Sequence, residues 1–202
     1  MNAPLAPRQS DSPARPFSRG DREGALIWIE AALETIAEEG ADALRVERLA
    51  RRIGVSKGSF YWFFDGLDDL RFRTLDHWKS SLNDAVFNHV RALDAPLEVC
   101  LDALVDRVFQ GKLGRFDAAI RAWALREPRV QEFVSAIDEA RLAFLEDLFA
   151  DGGKADAGVR DRAHLFYRAF IAESYVRAYP GAKKRADYLK NLGHRLARNT
   201  PI

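Results

Sequence analysis

The segment that decides the fold reads RVERLARRIGVSKGSFYWFF over residues 45–64. Its first half places apolar residues at helical spacing on one face, and Gly54 follows where the end of a helix favours a left-handed residue. Ser56 then supplies a hydroxyl of the kind that caps helix N-termini. The segment therefore predicts two short helices joined by a glycine turn, the second beginning at Ser56. This arrangement is typical of a helix-turn-helix.

Helical periodicity continues on both sides of this segment, and no strand-like alternation competes with it. An apolar stripe precedes the segment, and Gly40 stands where the first helix should end. The stripe consists of Leu26, Ile29, Leu33 and Ile36. Besides the helix that begins at Ser56, helices are predicted over 21–39, 46–53, 67–92, 96–110, 115–126, 128–150, 158–179 and 182–198. The predicted fold class is all-α, with about nine helices.

Composition excludes several classes of protein. The chain has 202 residues, of which 48% are hydrophobic and 30% charged, so it can bury a core and is not a disordered chain. A single cysteine, Cys100, excludes a disulfide framework and a cysteine-built metal site. Neither a membrane-spanning apolar run nor a signal peptide is recognisable, and we expect a cytoplasmic protein without a membrane partner.

Charge is distributed unevenly, although the net charge is only +1. Five cations lie between residues 45 and 57, against Glu47 as the single anion. They are Arg45, Arg48, Arg51, Arg52 and Lys57. Such a local basic cluster favours a polyanionic partner, with a solvated helix face as the alternative interpretation.

The second short helix has the residue types that a helix in a DNA groove needs. Lys57 offers a charge to a phosphate or a guanine, while Gly58 and Ser59 leave the backbone room to approach base edges. Tyr61 can donate its hydroxyl to a phosphate, and Trp62 presents an apolar face to thymine methyl groups. We therefore expect this helix to enter the major groove of double-stranded DNA.

The segment resembles the DNA-binding motif of the tetracycline-repressor-like (TetR) family, in particular members that read GVSKGSFYWHF. Residues 54–62 and Phe64 match this motif. Phe63 stands where the family usually has histidine, and Asp65 where lysine usually follows. Arg45 stands where a threonine or serine often caps the helix.

The resemblance implies a three-helix DNA-binding head on a larger all-α body that dimerises and binds a small ligand. It divides the chain into a leader without a fold of its own (1–18), the head (19–79) and the body (80–202). Phe60 and Phe64 are predicted to serve the core of the head. The predicted DNA-binding residues are Arg45, Ser56, Lys57, Gly58, Ser59, Tyr61 and Trp62.

Dimerisation is also expected on physical grounds, because a short recognition helix reads only a few base pairs and two copies can read a palindrome. The helices near 158–179 and 182–198 are the predicted interface, with an intramolecular core as the alternative for their apolar residues. A pocket for an apolar or aromatic effector is predicted in the body. Its predicted walls are Trp78, Phe87, Trp123, Phe144 and Tyr167, each of which could instead be ordinary core.

The competing class is an enzyme, and the sequence does not favour it. The four histidines lack metal-site spacing, and no nucleophile elbow or phosphate-binding glycine loop is present. We predict no catalytic residue, cofactor or metal. The sequence predicts a ligand-responsive homodimeric transcriptional regulator that acts as a repressor at a palindromic operator. The alternative within DNA binding is an effector-independent protein, which the lack of an internal cavity would favour.

Overall fold

A computed structural model describes residues 19–110, 113–150, 157–176 and 181–198. All regular structure in these ranges is helical, which confirms the predicted all-α class. A π-helical segment, Lys79–Asp84, joins α4 to α5, so the ten α-helical segments within these ranges form nine continuous helices. The bounds are α1 Arg19–Glu39, α2 Val46–Ile53, α3 Lys57–Phe63, α4 Leu67–Trp78, α5 Ala85–Arg91, α6 Leu97–Gln110, α7 Gly114–Ala124, α8 Pro128–Ala150, α9 Ala157–Ala172 and α10 Ala182–Ala197. The predicted leader, 1–18, lies outside the described residues.

Two glycines end the first two helices as predicted. Gly40 has φ 87°, and its N–H donates to the carbonyl of Ile36 at the end of α1. Gly54 has the left-handed angles φ 75° and ψ 29°, and its N–H donates to the carbonyl of Ala50 at the end of α2. Both glycines have a positive φ, a backbone conformation that would be strained in a residue with a Cβ atom. These turns fix the directions in which α2 and α3 leave α1.

The core of the head is built around aromatic rings. Trp28 of α1 is buried and meets the ring of Phe60 edge to face, with 5.3 Å between ring centroids. Phe60 in turn stacks on Phe64 at 5.1 Å. The predicted stripe on α1 is therefore wrong at Leu26, which is 37% exposed. The buried face is rotated toward Trp28, because this larger apolar side chain gains more from burial.

One hydrophobic cluster joins the head to the body. It runs from α1, α2, α3 and α4 into α7 and the first half of α8, where Ile120 and Val134 are buried. Two ion pairs, Arg115 with Glu34 and Arg126 with Asp42, also connect α7 and the turn after it to the head. The second cluster is formed by α5, α6, the end of α8, α9 and α10. The apolar packing thus crosses residue 79, where the sequence predicts a domain boundary.

The last two helices differ in part from their prediction. α9 ends at Ala172, seven residues before the predicted end, and Arg185 Nη1 donates to the Glu173 carbonyl at 3.0 Å. This carbonyl is satisfied by a side chain, so no further helical turn is required there. α10 packs closely on α6, since a Cβ at Gly193 would lie 3.2 Å from Leu101 Cδ1.

That packing buries four apolar residues of α9 and α10, the two helices of the predicted dimer interface. Phe166 and Leu189 are fully buried, and Leu192 and Leu196 are buried beside them in the second cluster. For these four residues the intramolecular alternative holds, because they pack within the second hydrophobic cluster of the same chain. No helix in the described ranges has the length and apolar character needed to cross a bilayer.

Candidate nucleic-acid interface and ligand cavity

The turn between α2 and α3 places Ser56 at the N-cap of the second helix. Its φ and ψ, −74° and 148°, are those of a capping residue, but its hydroxyl makes no capping hydrogen bond. Ser59 instead donates both its N–H, at 3.2 Å, and its hydroxyl, at 2.8 Å, to the Ser56 carbonyl. The predicted hydroxyl cap is therefore wrong in its hydrogen bonding, although Ser56 does begin the helix. The Ser56 side chain remains exposed at the start of α3.

The aromatic residues of α3 divide between the core and the surface. Phe60 and Phe64 are buried, which confirms their predicted place in the core of the head. Tyr61 is 60% exposed and Trp62 is 64% exposed. Since large aromatic side chains are usually covered in a folded domain, two adjacent exposed ones point to a contact surface.

Phe63, which replaces the usual histidine, packs toward α1. A Cβ atom on Gly24 of α1 would lie only 2.6 Å from Cζ of the Phe63 ring. The ring therefore occupies the space left open by the glycine, and Phe63 joins the hydrophobic cluster of the head. At this position the chain has a packing residue. Gly24, in the second turn of α1, is the sequence feature that could have indicated this packing.

Most of the predicted basic cluster is paired with carboxylates. Arg52 makes two hydrogen bonds to the Glu38 carboxylate, at 2.7 and 3.0 Å, and Arg48 pairs with Glu39. The hydrogen bond from Arg52 lowers the pKa of the Glu38 carboxyl. Both acids lie on α1, so the two arginines hold α2 against α1. Arg45 Nη1 donates to the carbonyl of Leu44 at 2.7 Å.

Lys57, at the start of α3, is paired with Glu47 of α2. Both side chains are about half exposed. The hydrogen bond between them raises the pKa of the Lys57 ammonium and lowers that of the Glu47 carboxyl. Arg51 is exposed and has no ion pair within the described part of the chain. The net positive charge offered to a partner is therefore smaller than the sequence suggests.

The body contains a cavity of about 340 Å³ between α5, α6, α7, α8 and α9. Four of the five predicted wall residues, Trp78, Phe87, Phe144 and Tyr167, line it. The rings of Phe87 and Phe144 stack with 4.2 Å between their centroids. Trp123 does not line the cavity, contrary to the prediction. It is buried in the first cluster, where its Nε1 donates to Glu127 at 2.8 Å.

One side of the cavity is bounded by a buried polar network, of which only Tyr167 was predicted from the sequence as a cavity residue. Asp117 of α7 accepts from Arg141 Nη1 of α8 at 2.6 Å and from Arg121 Nε at 2.7 Å. Arg121 also binds Asp138, which accepts from the Tyr167 hydroxyl at 2.6 Å. Asp117 and Arg121 are four residues apart on α7, but their other partners lie on α8 and α9, so spacing within one helix could not predict the whole network.

Two pKa shifts follow from this network. Burial, together with the hydrogen bond to Asp138, raises the pKa of Tyr167 to about 12. Burial acts to raise the pKa of Asp138 as well, but the hydrogen bonds and charges of Arg121, with the Tyr167 hydroxyl, outweigh it and lower the pKa. At neutral pH the network therefore contains an ionised aspartate and a neutral tyrosine.

Known proteins resemble this chain at the helix-turn-helix and over its fold. Residues 29–73 match the family model of bacterial regulatory proteins of the tetR family. The HTH-type transcriptional regulator BetI of Escherichia coli O17:K52:H18 is 36% identical over 102 residues. This match covers 47% of the chain and 49% of BetI, so the chain spans about half the length of its curated relative.

Solved structures share the fold over most of the chain. A TetR-family regulator from Streptomyces coelicolor has a TM-score of 0.69 at 18% identity and covers 89% of this chain and 96% of its own. FadR from Bacillus subtilis, in complex with stearoyl-CoA, has a TM-score of 0.65 at 17% identity, with coverages of 87% and 99%. Members of this family are transcriptional regulators and not enzymes. Residues 29–73 are therefore identified as the helix-turn-helix domain of the tetR family of bacterial regulatory proteins, and the chain shares its all-α fold with a solved member of that family.

Proposed function

We propose that the protein binds a palindromic DNA operator as a homodimer and represses transcription there. Its affinity for the operator is proposed to change when a small molecule occupies the cavity. The observation that supports this proposal is the exposed surface of α3. Tyr61 and Trp62 are exposed there, in the same seven-residue helix as Lys57 and Gly58. A repressor needs only to occupy a promoter, which requires no contact with polymerase. We expect the protein to act in the cytoplasm, where its DNA lies.

The proposed DNA contacts keep the roles that their chemistry suggests. Lys57 and Arg45 contact phosphates or guanine, and Ser56 and Ser59 hydrogen-bond to the backbone of the duplex. Gly58 permits close approach, Tyr61 donates to a phosphate and Trp62 packs on thymine methyl groups. All of these residues except Ser59, which is half-buried, are exposed. The proposed DNA-binding unit is 19–79, and the proposed ligand-binding and dimerisation unit is 80–202.

The dimer is proposed to form through the outward faces of α9 and α10. Leu165 of α9 is 43% exposed and Tyr188 of α10 is 42% exposed, although the inward faces of both helices are buried. Exposed apolar side chains of this size favour burial against a second copy. Two helices from each protomer would then form a four-helix bundle.

Effector control is proposed to pass through α7. This helix contributes Asp117 to the cavity wall and buries Ile120 in the cluster that contains the head. A ligand that prefers one position of α7 would therefore bias the position of the head. The internal cavity favours this proposal over the alternative, an effector-independent DNA-binding protein.

The experiment that tests the function is selection of bound fragments from random double-stranded DNA with the purified full chain. The expected result is an enriched palindrome whose half-sites lie about one helical turn, or a multiple of it, apart. Recovery of no enriched sequence, at salt low enough to retain non-specific binding, would contradict the proposal.

Removing the two charges of the Lys57–Glu47 pair one at a time provides a sharper test. Lys57→Ala is expected to weaken operator binding and to reduce the slope of log K against log salt by about one. Glu47→Gln is expected to strengthen binding by about two- to tenfold, because the phosphate no longer competes with a carboxylate for Lys57. Fluorescence anisotropy at several salt concentrations measures both effects. Weaker binding by Glu47→Gln would mean that Lys57 does not face the duplex.

A double substitution, Leu165→Glu with Tyr188→Glu, tests the interface. The variant is expected to be a folded monomer, since four carboxylates would meet across the two-fold axis. Analytical ultracentrifugation measures its mass, and circular dichroism its helix content. Val99→Glu, at an exposed apolar residue of α6, is the matched control and is expected to remain dimeric. If the double variant remained dimeric, the outward faces of α9 and α10 would be excluded as the dimer interface.

A further inference from the structure

The cavity wall contains a carboxylate with one buried oxygen that no described residue contacts by a hydrogen bond. Glu173 follows the end of α9, lines the cavity and is only 9% exposed. Its Oε2 atom is fully buried and has no hydrogen-bond partner among the described residues. Burial raises the pKa of this carboxyl, against the opposing charge of Arg185. An acceptor buried in this way is costly unless something binds it, so it points to a group that a ligand supplies.

The cations around the cavity are engaged elsewhere. Arg141 is bound to Asp117, and Arg115 to Glu34. Arg185 Nη1 donates to the backbone carbonyl of Glu173, and its guanidinium lies 5.6 Å from the centre of the Phe109 ring. Within the described residues, no cation is therefore paired with the Glu173 carboxylate.

The remainder of the cavity wall is mainly apolar and rich in aromatic rings. Phe109 and Phe170 meet edge to face at 6.2 Å, and Phe166 lies beside Phe170 at 6.1 Å. Phe87 and Phe144 stack on each other at another part of the wall. The volume of about 340 Å³ lies at the small end of ligand pockets. A ligand that fits this wall has a compact hydrocarbon part and one polar end.

We propose that the cavity binds an amphipathic amine, whose ammonium group donates a hydrogen bond to Glu173 and whose hydrocarbon part packs among the phenylalanines. This inference rests on the proposed effector cavity and adds the chemical class of its ligand. An ammonium group brings both the donor and the charge that the carboxylate lacks. An alcohol brings the donor alone, and a carboxylate would place a second negative charge beside Glu173.

Three eight-carbon probes, octylamine, octanol and octanoate, separate these possibilities on the full chain without DNA. Calorimetric titration of the native protein is expected to show octylamine binding at least about tenfold more tightly than octanol, with octanoate weakest. This ranking tests the proposal without any substitution. Equal affinities for the three probes, or a preference for octanoate, would overturn it.

Glu173→Gln preserves the shape of the side chain and removes its charge. The variant is expected to lose about tenfold in affinity for octylamine and to bind octanol within twofold of the native protein. Glu132→Gln, on the exposed surface of α8, is the control and is expected to bind both probes as the native protein does. Unchanged octylamine binding by a folded Glu173→Gln variant would overturn the assignment.

The outcome is independent of DNA binding. If native protein binds octylamine through Glu173 but selects no DNA sequence, the ligand inference stands and the proposed function falls. If the protein selects an operator but prefers octanoate, the function stands and the ligand class is wrong.

Discussion

Replacing Gly58 by glutamate is expected to leave the fold intact and to lower the affinity for operator DNA by about 100-fold or more. Gly58 lies in the first turn of α3, is exposed, and has no left-handed backbone that would strain a side chain. A Cβ atom there would meet only the Ser56 hydroxyl, at 3.8 Å. The folded protein therefore has room for a side chain at this position.

In the proposed complex the same space belongs to the duplex. A glutamate at residue 58 would keep the backbone away from the base edges and place a negative charge among the phosphates. Gln131→Glu, which adds the same charge in the first turn of α8, is the matched control and is expected to bind DNA normally. Anisotropy measures the affinities, and thermal unfolding confirms that both variants fold. Normal operator binding by Gly58→Glu would show that α3 does not lie in the groove of the duplex.

The sequence was sufficient for the local architecture of the head. Gly40 and Gly54 predicted the ends of α1 and α2, because a positive φ is a property of a single residue and its neighbours. The division of α3 into buried Phe60 and exposed Trp62 agrees with the roles that the resemblance to the TetR motif implied. The burial of Trp28 was not predicted. Two neighbouring faces of α1 carry apolar residues, and which of them is buried depends on where the rest of the head packs.

Contacts between distant segments could not be predicted in the same way. Arg48 and Arg52 look available for DNA until Glu38 and Glu39 of α1 are seen beside them. Four aromatic wall residues of the cavity were recognised as a class, yet Trp123, of the same class, lies in the other cluster. The role of Glu173 could not be predicted from the sequence, because whether a carboxylate has a partner depends on every segment that packs around it.

Replacing Asp117 by alanine is expected to lower the free energy of unfolding by about 3–5 kcal/mol, because it leaves buried charges without their counter-ion. Asp117 is buried and binds Arg141 at 2.6 Å and Arg121 at 2.7 Å. Arg121 retains Asp138, whereas Arg141 retains only neutral partners that include the side-chain oxygen of Asn83, at 2.9 Å, and Tyr167. Its guanidinium, whose side chain is only 16% exposed, would then be bound to no carboxylate.

Urea denaturation of the full chain measures this loss, with Asp42→Ala as the matched control. Asp42 pairs with Arg126 at 2.8 Å, but both side chains are mostly exposed, so its removal is expected to cost less than about 1 kcal/mol. Removing the stranded charge as well, in Asp117→Leu with Arg141→Met, is expected to recover part of the stability lost in Asp117→Ala. Equal losses for the Asp117 and Asp42 variants would contradict the burial argument. Because Asp117 and Arg141 also line the cavity, the same network that stabilises the body fixes the shape that a ligand meets.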